Sequence, residues 1–87
     1  MRDLTELRGE IDQIDDQLLE LFLRRMAMMG EVAAAKEAAG VPLTDSGRES
    51  HILERLAARA PGKEEEVRTL FQAIFQAAKG LQRKAMP

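Results

Sequence analysis

The sequence predicts an all-α fold with three helices in each chain, the first much longer than the other two. Strong helix formers fill the chain, and glycine and proline interrupt it at Gly40-Val41-Pro42 and at Pro61-Gly62. No segment alternates between apolar and polar residues with a period of two, so no strand is expected. We therefore place helices at about residues 3–39, 46–60 and 63–83 of a single domain covering 1–87.

Polar residues mark where these helices begin. Asp3 followed by Glu6 is typical of an N-cap with a capping box, and Ser46 followed by Glu49 predicts the same start for the second helix. The third helix opens with three glutamates at 64–66, whose negative charge suits a helix N-terminus.

The long helix predicts a dimer. At 1.5 Å per residue it would be roughly 55 Å long, whereas a globule of this size is only about 30 Å across. Its apolar residues follow alternating steps of three and four, and form an apolar seam of Leu4, Leu7, Ile11, Ile14, Leu18, Leu21, Met28, Val32 and Ala35. The shorter helices cannot cover this seam along its length, so we expect two copies to interlock as a homodimeric helical bundle.

Arg25 occupies the one seam position that is not apolar, between Leu21 and Met28. Desolvating a guanidinium costs several kcal/mol unless it is paired, yet no acidic residue lies three or four positions away. Its partner must therefore come from another helix or from a ligand. Two interpretations stay open at this point: a register-setting charge paired with a glutamate across the dimer, or a site for a small anion.

Two further cations favour the anion site. Lys36 lies eleven residues after Arg25, close to three full turns, so the two share a helix face. Arg8 lies on the same broad side but roughly 25 Å away along the axis, too far for one small molecule to touch both within a chain. If two long helices pack antiparallel, Arg8 of one chain reaches the far half of the other.

The starts of the later helices offer further candidates. Arg48 could bind an anion, and Asp45 or Glu49 could accept a hydrogen bond from a ligand hydroxyl. Spacing alone favours simple capping by Ser46 and Glu49, with an Asp45–Arg48 pair at the surface. Gln82 extends the apolar face of the third helix, either as a frayed-end residue or as a neutral donor aimed into a pocket.

Composition argues against several other functions. A net charge of −2 and the absence of Trp and Tyr argue against a general nucleic-acid binder. A lone histidine, His51, cannot build a metal site, and no apolar run approaches the roughly 20 residues that span a bilayer. The first ten residues lack the apolar stretch of a signal peptide. The absence of cysteine suits a reducing compartment, so a cytoplasmic location is expected.

Several motifs, taken in order and at their spacing, resemble the all-α, AroQ-type chorismate mutases over nearly the whole chain. They are Leu7-Arg8-Gly9-Glu10-Ile11-Asp12, Arg24-Arg25, Val32 through Lys36, Asp45 with Arg48 and Glu49, Leu53-Glu54-Arg55-Leu56, and Leu70-Phe71-Gln72-Ala73-Ile74 leading to Gln82. The resemblance implies a domain-swapped dimer that converts chorismate to prephenate, toward phenylalanine and tyrosine. This pericyclic, Claisen-type rearrangement requires no cofactor, metal, nucleophile or proton transfer.

The resemblance also implies a role for each matching residue. Arg25, and Arg8 from the partner chain, would bind the two substrate carboxylates. Lys36 and Gln82 would donate hydrogen bonds to the ether oxygen whose bond breaks. Arg48 would support the carboxylate end, and Glu49 with Asp45 would bind the ring hydroxyl. The chain departs from a common family pattern at one place, where Ala78 replaces a polar serine.

Other functions compete with this interpretation. An isochorismate-pyruvate lyase would share this fold and this pattern of cations. The acidic pair Asp45 and Glu49 favours the mutase. A non-catalytic helical dimer or adaptor predicts instead that Arg25 pairs with a protein glutamate and that no internal pocket exists. The sequence leaves open whether the domain docks on another shikimate-pathway enzyme.

Overall fold

A computed structural model describes residues 1–85 of the chain, and the side chains of residues 1–81. The helices are α1 Leu4–Ala27, α2 Met29–Ala39, α3 Ser46–Ala57 and α4 Glu64–Ala85. The described residues contain no strand, so the predicted all-α class is confirmed. None of the described helices combines the length and the apolarity needed to cross a membrane.

The first predicted helix is divided into α1 and α2 by the single residue Met28. Its N–H donates to the carbonyl of Arg25, only three residues back, at 3.2 Å, so one tighter turn interrupts the α-helical pattern. The Val32 N–H then donates to the Met28 carbonyl at 2.9 Å, and the helix resumes at once. Methionine is a good helix former, so the residue type at this position gave no sign of the interruption.

The observed helix caps confirm one predicted capping residue and correct another. The Asp3 carboxylate accepts the Glu6 N–H at 2.8 Å, so the predicted N-cap of α1 is confirmed. At α3 the predicted cap, Ser46, is wrong by one residue. Asp45 has the extended backbone of an N-cap, and its carboxylate accepts the Arg48 N–H at 2.9 Å.

A glycine in the left-handed backbone conformation ends α2. Gly40 has a φ of 71°, which costs a side-chain-bearing residue conformational energy. In this conformation the Val41 N–H donates to the Lys36 carbonyl at 3.0 Å, which satisfies one of the terminal acceptors of α2. The chain then turns into the segment that leads to α3.

The core lies where α4 packs against α2 and α3. The buried apolar residues among those described all belong to these three helices: Met29, Ala33, Ile52, Ala57, Phe75 and Ala78. An ion pair at 3.2 Å joins Arg68 of α4 to Glu54 of α3. Hydrogen bonding and the positive charge of Arg68 lower the pKa of Glu54, and the bond to Glu54 raises the pKa of Arg68.

The protomer is long and thin, and α1 has no buried residue. Its extents are 56 × 26 × 14 Å, and 14 Å is little more than one helix with its side chains. The radius of gyration is 16.4 Å, against about 12 Å for a compact domain of this length. Apolar seam residues such as Leu4 and Ile14 are 58% and 49% exposed. The chain therefore leaves the seam of its long helix without cover from its own described helices.

Candidate active site

A partly open cavity of about 190 Å³ lies where the end of α1 meets α2, α3 and α4. Its apolar lining is Met29, Val32, Leu43, Ile52, Phe75 and Ala78. The polar side chains that line it, among those described, are Arg25, Lys36, Asp45, Arg48, Glu49 and Lys79. Four positive and two negative groups give this lining a formal charge of +2, although the whole chain carries −2. The cavity is therefore suited to an anion.

Arg25 reaches this cavity from the last turn of α1 and is partly buried. Its Nη1 atom is buried and has no hydrogen-bond partner among the described residues. Its guanidinium carbon lies 5.8 Å from the centroid of the Phe75 ring, a cation–π distance. The ring attracts the charge but cannot replace a carboxylate as a hydrogen-bond acceptor. A buried donor beside a positively charged cavity thus has an unmet requirement that an anionic ligand would satisfy.

Lys36 lines the same cavity and holds the segment between α2 and α3. Its Nζ donates to the backbone carbonyl of Leu43 at 2.6 Å, and Leu43 is itself part of the lining. This bond gives the ammonium group a fixed direction, because one of its three donors is committed to the backbone. The structure therefore brings together Arg25 and Lys36, the two residues that helix periodicity placed on one face.

The first turn of α3 brings Asp45, Arg48 and Glu49 to the same cavity. Asp45 contacts the backbone N–H of Arg48 rather than its guanidinium, so the surface pair that spacing favoured is replaced by an N-cap. The Arg48 side chain remains exposed at the cavity edge. Glu49 is partly buried and carries a carboxylate at the positive end of the helix dipole.

Lys79 is a cavity residue that the sequence analysis missed. Its Nζ lies 3.3 Å from Oε2 of Glu49, and the two side chains are only 20% and 25% exposed. One signal could have found it. Lys79 has no acidic residue three or four positions away on α4, which is the same criterion that singled out Arg25.

The cavity lining includes five of the seven residues to which the family resemblance assigned roles: Arg25, Lys36, Asp45, Arg48 and Glu49. A comparison with known families matches residues 7–83 to the family described as chorismate mutase type II. The chain belongs to this family. The predicted family and the predicted enzyme class, an isomerase of the chorismate mutase type, are therefore confirmed.

Individual relatives agree with this assignment to different extents. A chorismate mutase of Methanocaldococcus jannaschii is 34% identical over 86 residues, which cover 93% of this chain and 85% of that protein. The T-protein of Haemophilus influenzae is 36% identical over 64 residues, 71% of this chain but 17% of that protein. A bifunctional chorismate mutase/prephenate dehydratase of Aquifex aeolicus is 36% identical over 56 residues, 64% of this chain and 16% of that protein. The last two relatives are much longer proteins, and the chain is similar to one part of each.

Two of the predicted site residues are not among the described side chains that line this cavity. Arg8 lies near the start of α1, is exposed, and does not belong to the cavity lining, as the axial distance from Arg25 required. Gln82 lies in α4, but its side chain falls outside the described residues. Both assignments therefore stay predictions.

The position that departs from the common family pattern also lies at the cavity. Ala78 is 4% exposed and lines it, one residue before Lys79. Its methyl group can pack against a ligand but cannot donate or accept a hydrogen bond. Polar contacts from this part of α4 must therefore come from its neighbours.

Proposed function

We propose that the chain works as a homodimer that isomerises chorismate to prephenate in the cavity described above. The observation that carries this proposal is the buried Nη1 of Arg25, which has no hydrogen-bond partner among the described residues and lies in a cavity whose described lining has a formal charge of +2. Chorismate carries two carboxylates, so its charge of −2 complements that lining. The family to which the chain belongs supplies the reaction.

The proposed roles divide the cavity between the two ends of the substrate. Arg25, together with Arg8 of the partner subunit, holds the two carboxylates, and Arg48 supports the carboxylate end. Lys36 and Gln82 donate hydrogen bonds to the ether oxygen. Glu49, with Asp45 beside it, accepts a hydrogen bond from the ring hydroxyl at the acidic edge of the cavity.

These roles match what the rearrangement requires. One bond breaks as another forms within the same molecule, so no proton, nucleophile or cofactor participates. The protein accelerates the reaction by holding the reactive, chair-like conformer and by stabilising the negative charge that grows on the ether oxygen. Lys36 suits the second task because its bond to the Leu43 carbonyl fixes where the ammonium points before the substrate arrives.

A second copy of the chain is proposed as the cover of α1. The large apolar side chains of the seam are exposed along α1, and monomeric soluble proteins rarely expose continuous apolar surface of this extent. Pairing would also bring a partner's Arg8 within reach of the cavity, which the protomer's own Arg8 cannot approach. A cytoplasmic location and docking on another shikimate-pathway enzyme stay predictions.

The direct test is to incubate the purified chain with chorismate and to detect prephenate. We expect prephenate to form without any added cofactor or metal. Isochorismate is the parallel substrate. Release of salicylate from it, with no prephenate from chorismate, would replace the proposed function with that of an isochorismate-pyruvate lyase.

Sharing of the site between subunits is tested by mixing two inactive variants, Arg8→Ala and Lys36→Ala. Each heterodimer contains one cavity with an intact Lys36 and an intact Arg8 from the partner, so random mixing should restore about a quarter of the wild-type activity. Each variant alone should remain a dimer by light scattering. A mixture as inactive as its components would contradict the sharing of Arg8.

A further inference from the structure

The cavity contains an ion pair for which the proposed roles do not account. Lys79 of α4 and Glu49 of α3 approach to 3.3 Å, and both line the cavity. Each side chain is about three-quarters or more buried. By contrast, the partner of Arg68 at the other end of the α3–α4 contact, Glu54, is 67% exposed. Solvent therefore screens the Lys79–Glu49 pair less than that surface pair.

Glu49 presents an electrostatic difficulty for a site that binds a dianion. A carboxylate suits the ring hydroxyl, because it is a strong acceptor, but it also repels both carboxylates of the ligand. At separations of about 6–8 Å and an effective dielectric constant of about 20, like charges repel by an amount worth about tenfold or more in affinity. A site that uses Glu49 as an acceptor therefore needs a neighbouring positive charge.

We propose that Lys79 is a positioning residue that neutralises Glu49 and aims its carboxylate, so that the cavity can accept a hydroxyl hydrogen bond and still bind a dianion. The proposal rests on the proposed function for the identity of that dianion. Lys79 acts through Glu49 and not through the reacting atoms. With Lys79 present the described lining has a formal charge of +2, and without it the charge falls to +1.

The position of Lys79 on α4 is suited to this task. Lys79 follows Phe75 by one helical turn, and Phe75 is the ring against which Arg25 packs. The ion pair thus joins the acidic edge of the cavity to the helix that supports Arg25. Ala78, its neighbour, has no polar group with which to orient Glu49, and Lys79 is the described residue of α4 that forms an ion pair with it.

The test compares steady-state kinetics on chorismate for the wild type, Lys79→Met, Lys79→Arg, Glu49→Gln and the double variant Lys79→Met/Glu49→Gln. Lys79→Met should raise KM about tenfold and change kcat by less than about threefold, because substrate and transition state carry the same net charge. Lys79→Arg keeps the charge and should stay near the wild type. The double variant should have a lower KM than Lys79→Met, since Gln still accepts a hydrogen bond but does not repel the dianion.

This rescue distinguishes positioning from the other roles of Lys79. If Lys79 only joined α3 to α4, adding Glu49→Gln to Lys79→Met would leave KM unchanged or raise it further. If Lys79 bound the substrate directly, Lys79→Met would raise KM by the same factor whether residue 49 is the native glutamate or carries the Glu49→Gln change. Either result, or a wild-type KM for Lys79→Met, would overturn the proposal. Lys63→Met is the matched control, because it removes an exposed lysine at the start of α4, outside the cavity lining, and changes the net charge equally.

Failure of the proposed function can be separated from failure of this inference. Binding of phthalate, a ring dicarboxylate that cannot rearrange, is measured by calorimetry for the same variants. A wild type that forms no prephenate but binds phthalate more tightly than Lys79→Met would contradict the proposed reaction and support the role of Lys79. If the wild type forms prephenate, but the wild type and Lys79→Met bind phthalate equally and have equal KM values, the proposed reaction would be supported and the role of Lys79 contradicted. A wild type that neither forms prephenate nor binds phthalate would overturn both.

Discussion

The two ends of this molecule differ in how far one chain completes them. The segment from α2 to α4 contains all of the described core and provides every described residue of the cavity lining except Arg25. Along α1 no residue is buried, although its leucines and isoleucines are as apolar as the residues of the core. The apolar residues of both regions follow helical periodicity. The regions therefore differ in whether other helices cover these residues and not in their composition.

The comparison indicates that a periodic apolar face is covered within the chain in one region and stays exposed in the other. In α4 the apolar face meets α2 and α3 of the same chain. In α1 the same kind of face continues along a helix of 24 residues, none of which is buried. The residue at the junction is Arg25, which packs on Phe75 at one side, while its Nη1 has no partner in the part of the chain that the structure describes. We infer that the active cavity depends both on packing within the chain and on the proposed contact of α1 with a second copy.

The largest expected effect comes from placing a charge in the seam. Ile14→Glu would put a carboxylate at a position that is 49% exposed in the protomer but would be covered in the proposed dimer. Burying an unpaired charge costs several kcal/mol per chain, so light scattering should show monomers and prephenate formation should be lost.

Gln13→Glu provides the matched control for the seam variant. It adds the same charge at the neighbouring residue, which lies about 100° around the helix axis from Ile14 and outside the seam. This variant should remain dimeric and active. An Ile14→Glu protein that is still a fully active dimer would show that the seam is not the interface.

The next largest effect concerns the unmet donor of Arg25. Arg25→Met keeps much of the apolar stem and removes a buried charge, so in the ligand-free protein it should raise the free energy of unfolding by about 1–3 kcal/mol. The same variant should lose nearly all mutase activity. Chemical denaturation at a fixed protein concentration, beside a chorismate assay, measures both.

This experiment also decides between the two interpretations of Arg25 that the sequence left open. If a glutamate of the partner subunit pairs with Arg25, Arg25→Met leaves that glutamate buried and lowers stability instead. Arg24→Met is the control, since Arg24 is the exposed neighbour of the same type. It should change stability by less than about 0.5 kcal/mol in either direction.

The fold could be predicted from the sequence where local rules decide it. Gly40, the Pro61-Gly62 pair and the cap at Asp3 set helix ends close to those observed, because each acts through its own backbone. The interruption at Met28 could not be predicted, since no residue type marks it. The Ser46 cap was wrong because two adjacent residues could both cap, and the backbone of Asp45 is the one that is extended.

The site could be predicted as far as single helices and family motifs define it. Arg25 and Lys36 were linked by helix arithmetic, and Asp45, Arg48 and Glu49 by the motif, and the structure brings all five to one cavity. The contact between Lys79 and Glu49 is different, because it forms only when α3 and α4 pack together. Periodicity within one helix contains no information about such a pairing.

The smallest expected effect lies at the surface, where Glu54 of α3 pairs with Arg68 of α4. The hydrogen bond and charge of Arg68 hold the pKa of Glu54 below its ordinary value of 4.5. Because this pKa is lowered in the folded state, the pair stabilises the fold above about pH 4.5, and the contribution is lost as the pH falls through the lowered value.

Glu54→Gln should therefore lower stability slightly at pH 7, and the deficit should shrink as the pH falls below 4.5, where Glu54 of the wild type also becomes protonated. Urea denaturation of both proteins at each pH measures the difference at one protein concentration. The effect is small because solvent screens an exposed pair, and it should leave the dimer and prephenate formation unchanged. A deficit that is equal at pH 7 and at low pH would mean that Glu54 acts through packing. A loss of the dimer would mean that the α3–α4 contact also depends on the partner subunit, and the contrast between the two ends of the molecule would then fail.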